Sequence, residues 1–356
     1  MNIKNEIIIS DFERITASLK DIEAFRNKNF LVTGATGLIG SLVVNELLYL
    51  NKTKEMGIRV FALVRDTAKA EKIFGKADSG LEFLVHDLAE GNIDLKGEKI
   101  DYIIHAAAVT NSKMMVTYPV ETLNIAYQGT FDLLKIAHEQ KVSGMVYISS
   151  MEVYGQMNKD EKTTENDLGY VDLSSVRTCY PEGKRVCECL VNSFAKEYGV
   201  PVKTARLAQT FGAGVSVSEN RVFAQFAKSA MKDEDIVLHT TGESEGNYVY
   251  TADAVAAIML LLTDGEPGES YNVSNENSHM KIHEMAAMVA ERFSDGKSKL
   301  VFDIPEDANV YGFAPAVHMH LSNQKLCALG WHPSVDLPEQ YHRMMEYWKS
   351  EDIGGK

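Results

Sequence analysis

Residues 29–40 read NFLVTGATGLIG, and the way this stretch folds decides the rest of the chain. Its first half is short and apolar, as a buried strand requires. Its second half, TGATGLIG at 33–40, spaces glycines as a phosphate cradle does. Gly34 permits a tight turn, Gly37 lets backbone approach a pyrophosphate, and Gly40 allows a helix to lie close on the sheet. The N-terminus of that helix then presents free N–H groups and a positive dipole to the phosphates. Glycine spacing alone is weak evidence; a strand before it and a helix after it supply the confirming context. Gly34, Thr36, Gly37, Leu38, Ile39 and Gly40 are therefore assigned to a bound dinucleotide.

Outward from this turn the pattern alternates. Apolar runs at 58–64, 81–88, 99–108, 144–150 and 201–207 read as strands, and amphipathic stretches lie between them, the longest at 119–140. Such alternation means a parallel sheet covered on both faces. The expected fold is α/β, a Rossmann-type doubly wound parallel sheet with a smaller C-terminal substrate-binding lobe. Residues 1–28 read as an N-terminal helical extension, capped by Ser10 or Asp11 and running to about Phe25. Residues 29–207 form the dinucleotide domain, to which 248–262 return a strand and a helix. The lobe takes 208–247 and 263–356, with helices near 221–232 and 281–293.

Bulk properties exclude several classes. With 356 residues, 45% of them hydrophobic, the chain can bury a substantial core. Its formal charge of −14 offers no basic stripe to nucleic acid and is repelled by an anionic membrane. No apolar run reaches the ~18 residues of a membrane span, and the N-terminus lacks a leader pattern. Cys179, Cys187, Cys189 and Cys327 show neither ligand spacing nor a disulfide framework, so reduced thiols in the cytoplasm are expected and no metal is assigned.

The strand ends carry the chemistry. FALVRD places Arg65 first and Asp66 second, where an acidic residue would hold a ribose hydroxyl and an arginine suits a 2′-phosphate; NAD is expected, with NADP admitted by Arg65. Asp87 and Leu88 follow the third strand at the adenine end, and Ala106, Ala107 and Ala108 let the cofactor ribose lie against the fourth. The fifth strand ends SSMEVYG at 149–155, and RTCYPEGKR follows at 177–185. Of fifteen tyrosines, only Tyr180 has a lysine four residues on, which puts Lys184 on the same helix face. An ammonium beside a phenol makes its anion easier to form. Tyr180 with Lys184 is thus a proton relay that also meets the cofactor, and Ser150 positions the hydroxyl that reacts. Pro181 is tolerated because it falls in the first helical turn.

TGATGLIG, HAAA, SSMEVYG and YPEGK, in this order, resemble the extended short-chain dehydrogenase/reductase family, the NAD-dependent epimerases and dehydratases of nucleotide sugars, over residues ~29–350. RTCYPEGKR, ARLAQTFG, ENRVFAQF, YNVSN and LGWHP are most like its UDP-glucuronate decarboxylase and dTDP-glucose 4,6-dehydratase branches. The resemblance implies transient oxidation of a sugar hydroxyl, with Ser150, Tyr180 and Lys184 as relay and Glu152 as a catalytic carboxylate. Met151 stands where the dehydratases have an aspartate, which disfavours water elimination. Gly246 replaces an arginine that usually grips the diphosphate or a carboxylate, leaving Arg221 or Lys113 to compensate. Ala126 replaces an asparagine, and Gln209 replaces another with a longer amide. The competing expectation is a net NADPH-dependent reductase using the same relay. Helices 118–140 and 180–198 are expected to pair across a two-fold axis in a homodimer.

Overall fold

The structure is a computed structural model that describes residues 5–157, 159–305 and 317–353. Phe30, Leu31 and Val32 are fully buried, as a strand covered on both faces demands, and Asn29–Thr33 accordingly lies inside a parallel sheet of seven strands. Across the sheet the order is Ser270–Val273, Val202–Leu207, Gly144–Ser150, Tyr102–His105, Asn29–Thr33, Arg59–Val64 and Leu81–Val85. From Asn29–Thr33 the chain first builds outward to Leu81–Val85, then crosses back to begin the other half at Tyr102–His105. That reversal opens a crevice beyond the carboxyl ends of the two neighbouring strands, where such sheets bind ligands.

Three expectations need correction. The N-terminal segment is two pieces, Glu6–Ser18 and a 3₁₀ turn at Ile22–Phe25. Asn5 is the cap, its side-chain oxygen accepting from the backbone N–H of Ile7 and Ile8 at 2.9 and 3.4 Å. Asp11 is instead buried within the helix, held by Arg343 at 2.7 Å and by the Tyr250 hydroxyl, while burial pushes its carboxyl up to about 6. The second correction concerns 248–262: only its helix joins the main sheet. Glu245–Tyr250 pairs with Gln209–Phe211 and Asn275–Lys281 in a separate three-stranded sheet. The third is the seventh strand of the main sheet, Ser270–Val273, too short and too mixed in polarity (SYNV) to stand out in sequence.

Thr251–Thr263 is apolar all round, and such a helix has to be buried. It packs on Gly144–Ser150 and Val202–Leu207 and is covered by Glu6–Ser18 and Leu38–Lys54. On the opposite face, Cys179–Tyr198 lies against Pro119–Gln140. It is tied to the sheet by a buried ion pair, Arg206 to Glu188 at 2.6 Å, to which the Ser149 hydroxyl adds a hydrogen bond. The same helix carries Tyr180, and breaking this pair would leave an uncompensated charge buried beneath it.

Candidate active site

The glycine turn is defined by close approaches. Gly34 has φ of +63°, and its carbonyl accepts from the Gly37 N–H at 2.8 Å. A Cβ on Gly34 would lie 2.6 Å from the Ala107 nitrogen, and one on Gly40 would lie 2.2 Å from the Gly34 oxygen. Helix Leu38–Lys54 starts at Gly37 with no side-chain cap, so its first N–H groups face the crevice without a side-chain acceptor. Thr36, Leu38 and Ile39 are half-buried around that turn. A turn packed this closely on the sheet, leading into a helix N-terminus with no side-chain cap, fits the diphosphate of a dinucleotide.

The strand ends beside it are arranged as follows. Asp66 is spent capping Thr67–Phe74 through the Lys69 N–H, whereas Arg65 is 73% exposed and only 3.9 Å from Asp87. Asp87 also accepts from the Ala89 N–H. Leu88 is buried against Gly129. Ala106 and Ala107 lie under Gly34, and Ala107 and Ala108 line a small pocket with Tyr147, Tyr180 and Lys184. Thr33, His105, Thr130 and Cys187 form a buried hydrogen-bonded chain beside that pocket. Burial and nearby Lys184 hold the His105 imidazole down to about 3, so it is neutral.

Ser150 ends its strand and caps the Met151–Tyr154 turn by accepting from the Glu152 N–H, and its hydroxyl lies near enough to Tyr180 to favour the phenolate. Lys184 donates to the Ile148 carbonyl at 2.6 Å, with its ammonium 4.7 Å from the Tyr147 ring centre and 5.9 Å from that of Tyr180. Burial lowers Lys184 to about 8 and raises Tyr180 to about 12. This differs from the expectation drawn from spacing. Burial and the Glu152 charge raise the phenol, and the groups that lower it are Ser150, Arg177 and Arg221. The reason is that the Lys184 ammonium is desolvated and turned toward a backbone carbonyl.

Glu152 is held by Arg177, whose Nη2 lies 2.9 and 3.1 Å from its two carboxylate oxygens. The same guanidinium stands 5.6 Å from the centre of the Tyr180 ring. Sequence reasoning missed Arg177, although it lies three residues before Tyr180 in a segment already singled out. Arg221 caps Val222–Met231 and pairs with Glu219 at 2.8 Å, within electrostatic reach of Tyr180. Gln209 lies at the start of its strand with its side-chain oxygen buried and without a hydrogen-bond partner among the described residues. Lys113 is exposed on Ser112–Thr117, a short helix packed against the Val176–Thr178 turn. A Cβ on Gly246 would meet no atom within 4 Å, so the missing arginine leaves open space.

A glycine turn packed on the strand ends, next to a pocket lined by Tyr180 and Lys184, points to an enzyme of the dinucleotide-dependent class. The family model described as NAD dependent epimerase/dehydratase family matches residues 30–274, and the chain belongs to that family. NAD is its cofactor. The chain is 28% identical over 322 residues to UDP-glucuronic acid decarboxylase 6 of Arabidopsis thaliana, covering 90% of this chain and 88% of that protein. To dTDP-D-glucose 4,6-dehydratase of Bos taurus it is 26% identical over 333 residues, 90% of this chain and 89% of that one. Among solved structures, UDP-glucose 4-epimerase from Thermotoga maritima superposes with a TM-score of 0.75 at 22% identity, covering 91% and 99% of the two chains. The dTDP-glucose 4,6-dehydratase of Streptomyces venezuelae, solved with NAD, gives 0.72 at 21% identity over 92% and 98%. These structural likenesses speak to the fold.

Proposed function

We propose that this chain acts on a nucleotide-linked sugar by transient oxidation of a ring hydroxyl, followed by a decarboxylation- or dehydratase-type step on the oxidised sugar. What supports the reading is that Tyr180 and Lys184 share a pocket with Ala107 and Ala108, while Ala106 and Ala107 pack against Gly34. Gly34, Gly37 and Gly40 would hold the diphosphate of NAD, Ala106 to Ala108 its ribose, and Asp87 with Arg65 its adenosine. Bound there, NAD supplies a hydride acceptor. Tyr180 Oη takes the hydroxyl proton and later returns it, and Ser150 fixes the hydroxyl toward that oxygen. Lys184, buried beside Tyr180 and bonded to the Ile148 carbonyl, would meet the cofactor ribose. Glu152 serves the second step, and Arg221, Gln209 and Lys113 are the groups for the substrate's anionic end.

The chain divides into the N-terminal extension, a dinucleotide domain of 29–207 completed by Thr251–Thr263 and Ser270–Val273, and a lobe built from the rest of the chain after residue 207, which receives the sugar nucleotide. Val120, Leu123 and Tyr127 on Pro119–Gln140 and Val186 on Cys179–Tyr198 are large exposed apolar groups, which supports pairing of these helices in a homodimer. Four free cysteines support a reducing, cytoplasmic setting. No described helix is long and apolar enough to cross a membrane.

Denaturing the purified protein and assaying the supernatant for cofactor tests the cycle: stoichiometric NAD is expected. A protein without bound cofactor that consumes NADPH in net turnover would replace this reading with the reductase, for which the exposed Arg65 is the supporting feature. A mass-spectrometric screen of UDP-, dTDP-, CDP- and GDP-sugars and sugar acids would then identify substrate and reaction.

A further inference from the structure

Two opposite charges act on the phenol. Glu152 comes from the turn after Gly144–Ser150 and raises Tyr180, whereas Arg177 comes from the 3₁₀ turn before Cys179–Tyr198 and lowers it. The arginine reaches both oxygens of the carboxylate and also lies over the aromatic ring. Its turn is braced, with the Thr178 hydroxyl donating to the Asp172 carbonyl at 2.7 Å. Side chains of the pair are 34% and 38% exposed, so the bond adds little to folding. Its consequence is local, at the ring beneath it.

We propose that Arg177 is a positioning residue for the proton relay: by holding Glu152 against itself over Tyr180, it cancels the one carboxylate field that would stop the phenol from giving up its proton. The inference rests on the reading of Tyr180 as the relay and explains how a carboxylate can stand there for a later step without disabling the first. Gly144–Ser150 and its following turn also face the phenol with Tyr147, Ser150 and Glu152. Helix Cys179–Tyr198 contributes Lys184, its leading turn Arg177, and the cap of Val222–Met231 contributes Arg221. Only Arg177 touches the carboxylate among these groups.

The test is a pH titration of protein labelled with [¹³Cζ]tyrosine in saturating NAD⁺, with Tyr180→Phe assigning the resonance. Arg177→Gln is expected to move the Tyr180 titration up by about one pH unit, the size of a partly screened charge at this range. Glu152→Gln should move it down, the double variant should return near the parent, and Arg177→Lys should recover most of the shift. A titration unchanged by Arg177→Gln, or a double variant that stays with Arg177→Gln, would overturn the proposal. Should Arg177→Gln fail to fold, Glu152→Gln and Arg177→Lys decide alone: no downward shift in the first, or a full upward shift in the second, is fatal. The measurement uses no sugar, so failure of the nucleotide-sugar reading would leave it standing. A Tyr180→Phe variant that still turned over a sugar would instead remove the relay on which it rests.

Discussion

Gly40→Ala tests the cradle most directly. The added methyl would sit 2.2 Å from the Gly34 oxygen, 2.8 Å from the Gly34 carbonyl carbon and 3.0 Å from the Ala35 Cα, all backbone atoms that no rotamer change can clear. Relief to the 3.2 Å that a Cβ on Gly37 would show needs a shift of roughly 1 Å, large for a close-packed interior. That shift stretches the Gly37-to-Gly34 hydrogen bond, now 2.8 Å, which closes the turn. Overpacking costs about 1–3 kcal/mol, and a lost hydrogen bond adds about 1 kcal/mol. Helix propensity opposes them, since alanine gains about 1 kcal/mol over glycine. The net expectation is a destabilisation of roughly 1–3 kcal/mol, read as a fall of several degrees in Tm. Because the moved carbonyl shapes the diphosphate site, NAD affinity should also fall, by at least about tenfold. Thermal melts and calorimetric titration with NAD measure both, with Gly37→Ala as the milder neighbour and Gly246→Ala as the neutral control. Gly40→Ala with parental Tm and parental NAD affinity would refute the cradle as described.

Removing Glu188 with Glu188→Ala leaves Arg206 buried without its ion partner, and chemical denaturation should show a loss of about 3–5 kcal/mol. Glu46 is fully buried, with one carboxylate oxygen bonded to the Thr16 hydroxyl and the other without a hydrogen-bond partner among the described residues, and burial raises it from 4.5 to about 8. The folded state therefore keeps a proton that the unfolded chain has released, so this contribution is complete below pH 4.5 and is lost as pH rises to about 8. Glu46→Gln should flatten the fall of Tm across that window, gaining a few kcal/mol at pH 8; Asp11, raised to about 6, has the same sign and leaves a residual slope at lower pH. Gly246→Arg has open space to enter and should tighten UDP binding about tenfold while leaving NAD affinity unchanged; calorimetry with each ligand checks both.

The main sheet was readable because its strands are buried on both faces, so continuous apolar runs such as GMVYISS mark them without ambiguity. Ser270–Val273 escaped for the opposite reason, being an edge strand with two polar residues that gain partners only in the fold. The N-terminal helix start was misjudged because Asn5, Ser10 and Asp11 are all competent caps, and Asp11 is drawn inward by Tyr250 and Arg343, both more than two hundred residues away. At the site, Tyr180 and Lys184 could be found from a spacing of four, which any helix honours. Their electrostatics could not. The Ile148 carbonyl that takes the Lys184 proton donor, and the arginines that offset burial at Tyr180, arrive from other elements.

That last point has a mechanical consequence. The charges acting on Tyr180 belong to separate pieces of the chain: Glu152 to a strand end, Arg177 to the turn before its own helix, Arg221 to the cap of Val222–Met231. Val222–Met231 packs on Ile282–Phe293 and Leu337–Ile353, outside the seven-stranded sheet. The Arg221 influence on the phenol therefore comes from a layer outside the sheet against which the Tyr180 helix packs. A substrate anion that drew Arg221 or Arg177 to itself would weaken their pull on Tyr180 and hold the proton on the phenol, whereas one that engaged Glu152 would act in the opposite sense. Under the proposed relay, the proton affinity of Tyr180 would depend on any ligand that engages Arg177, Arg221 or Glu152.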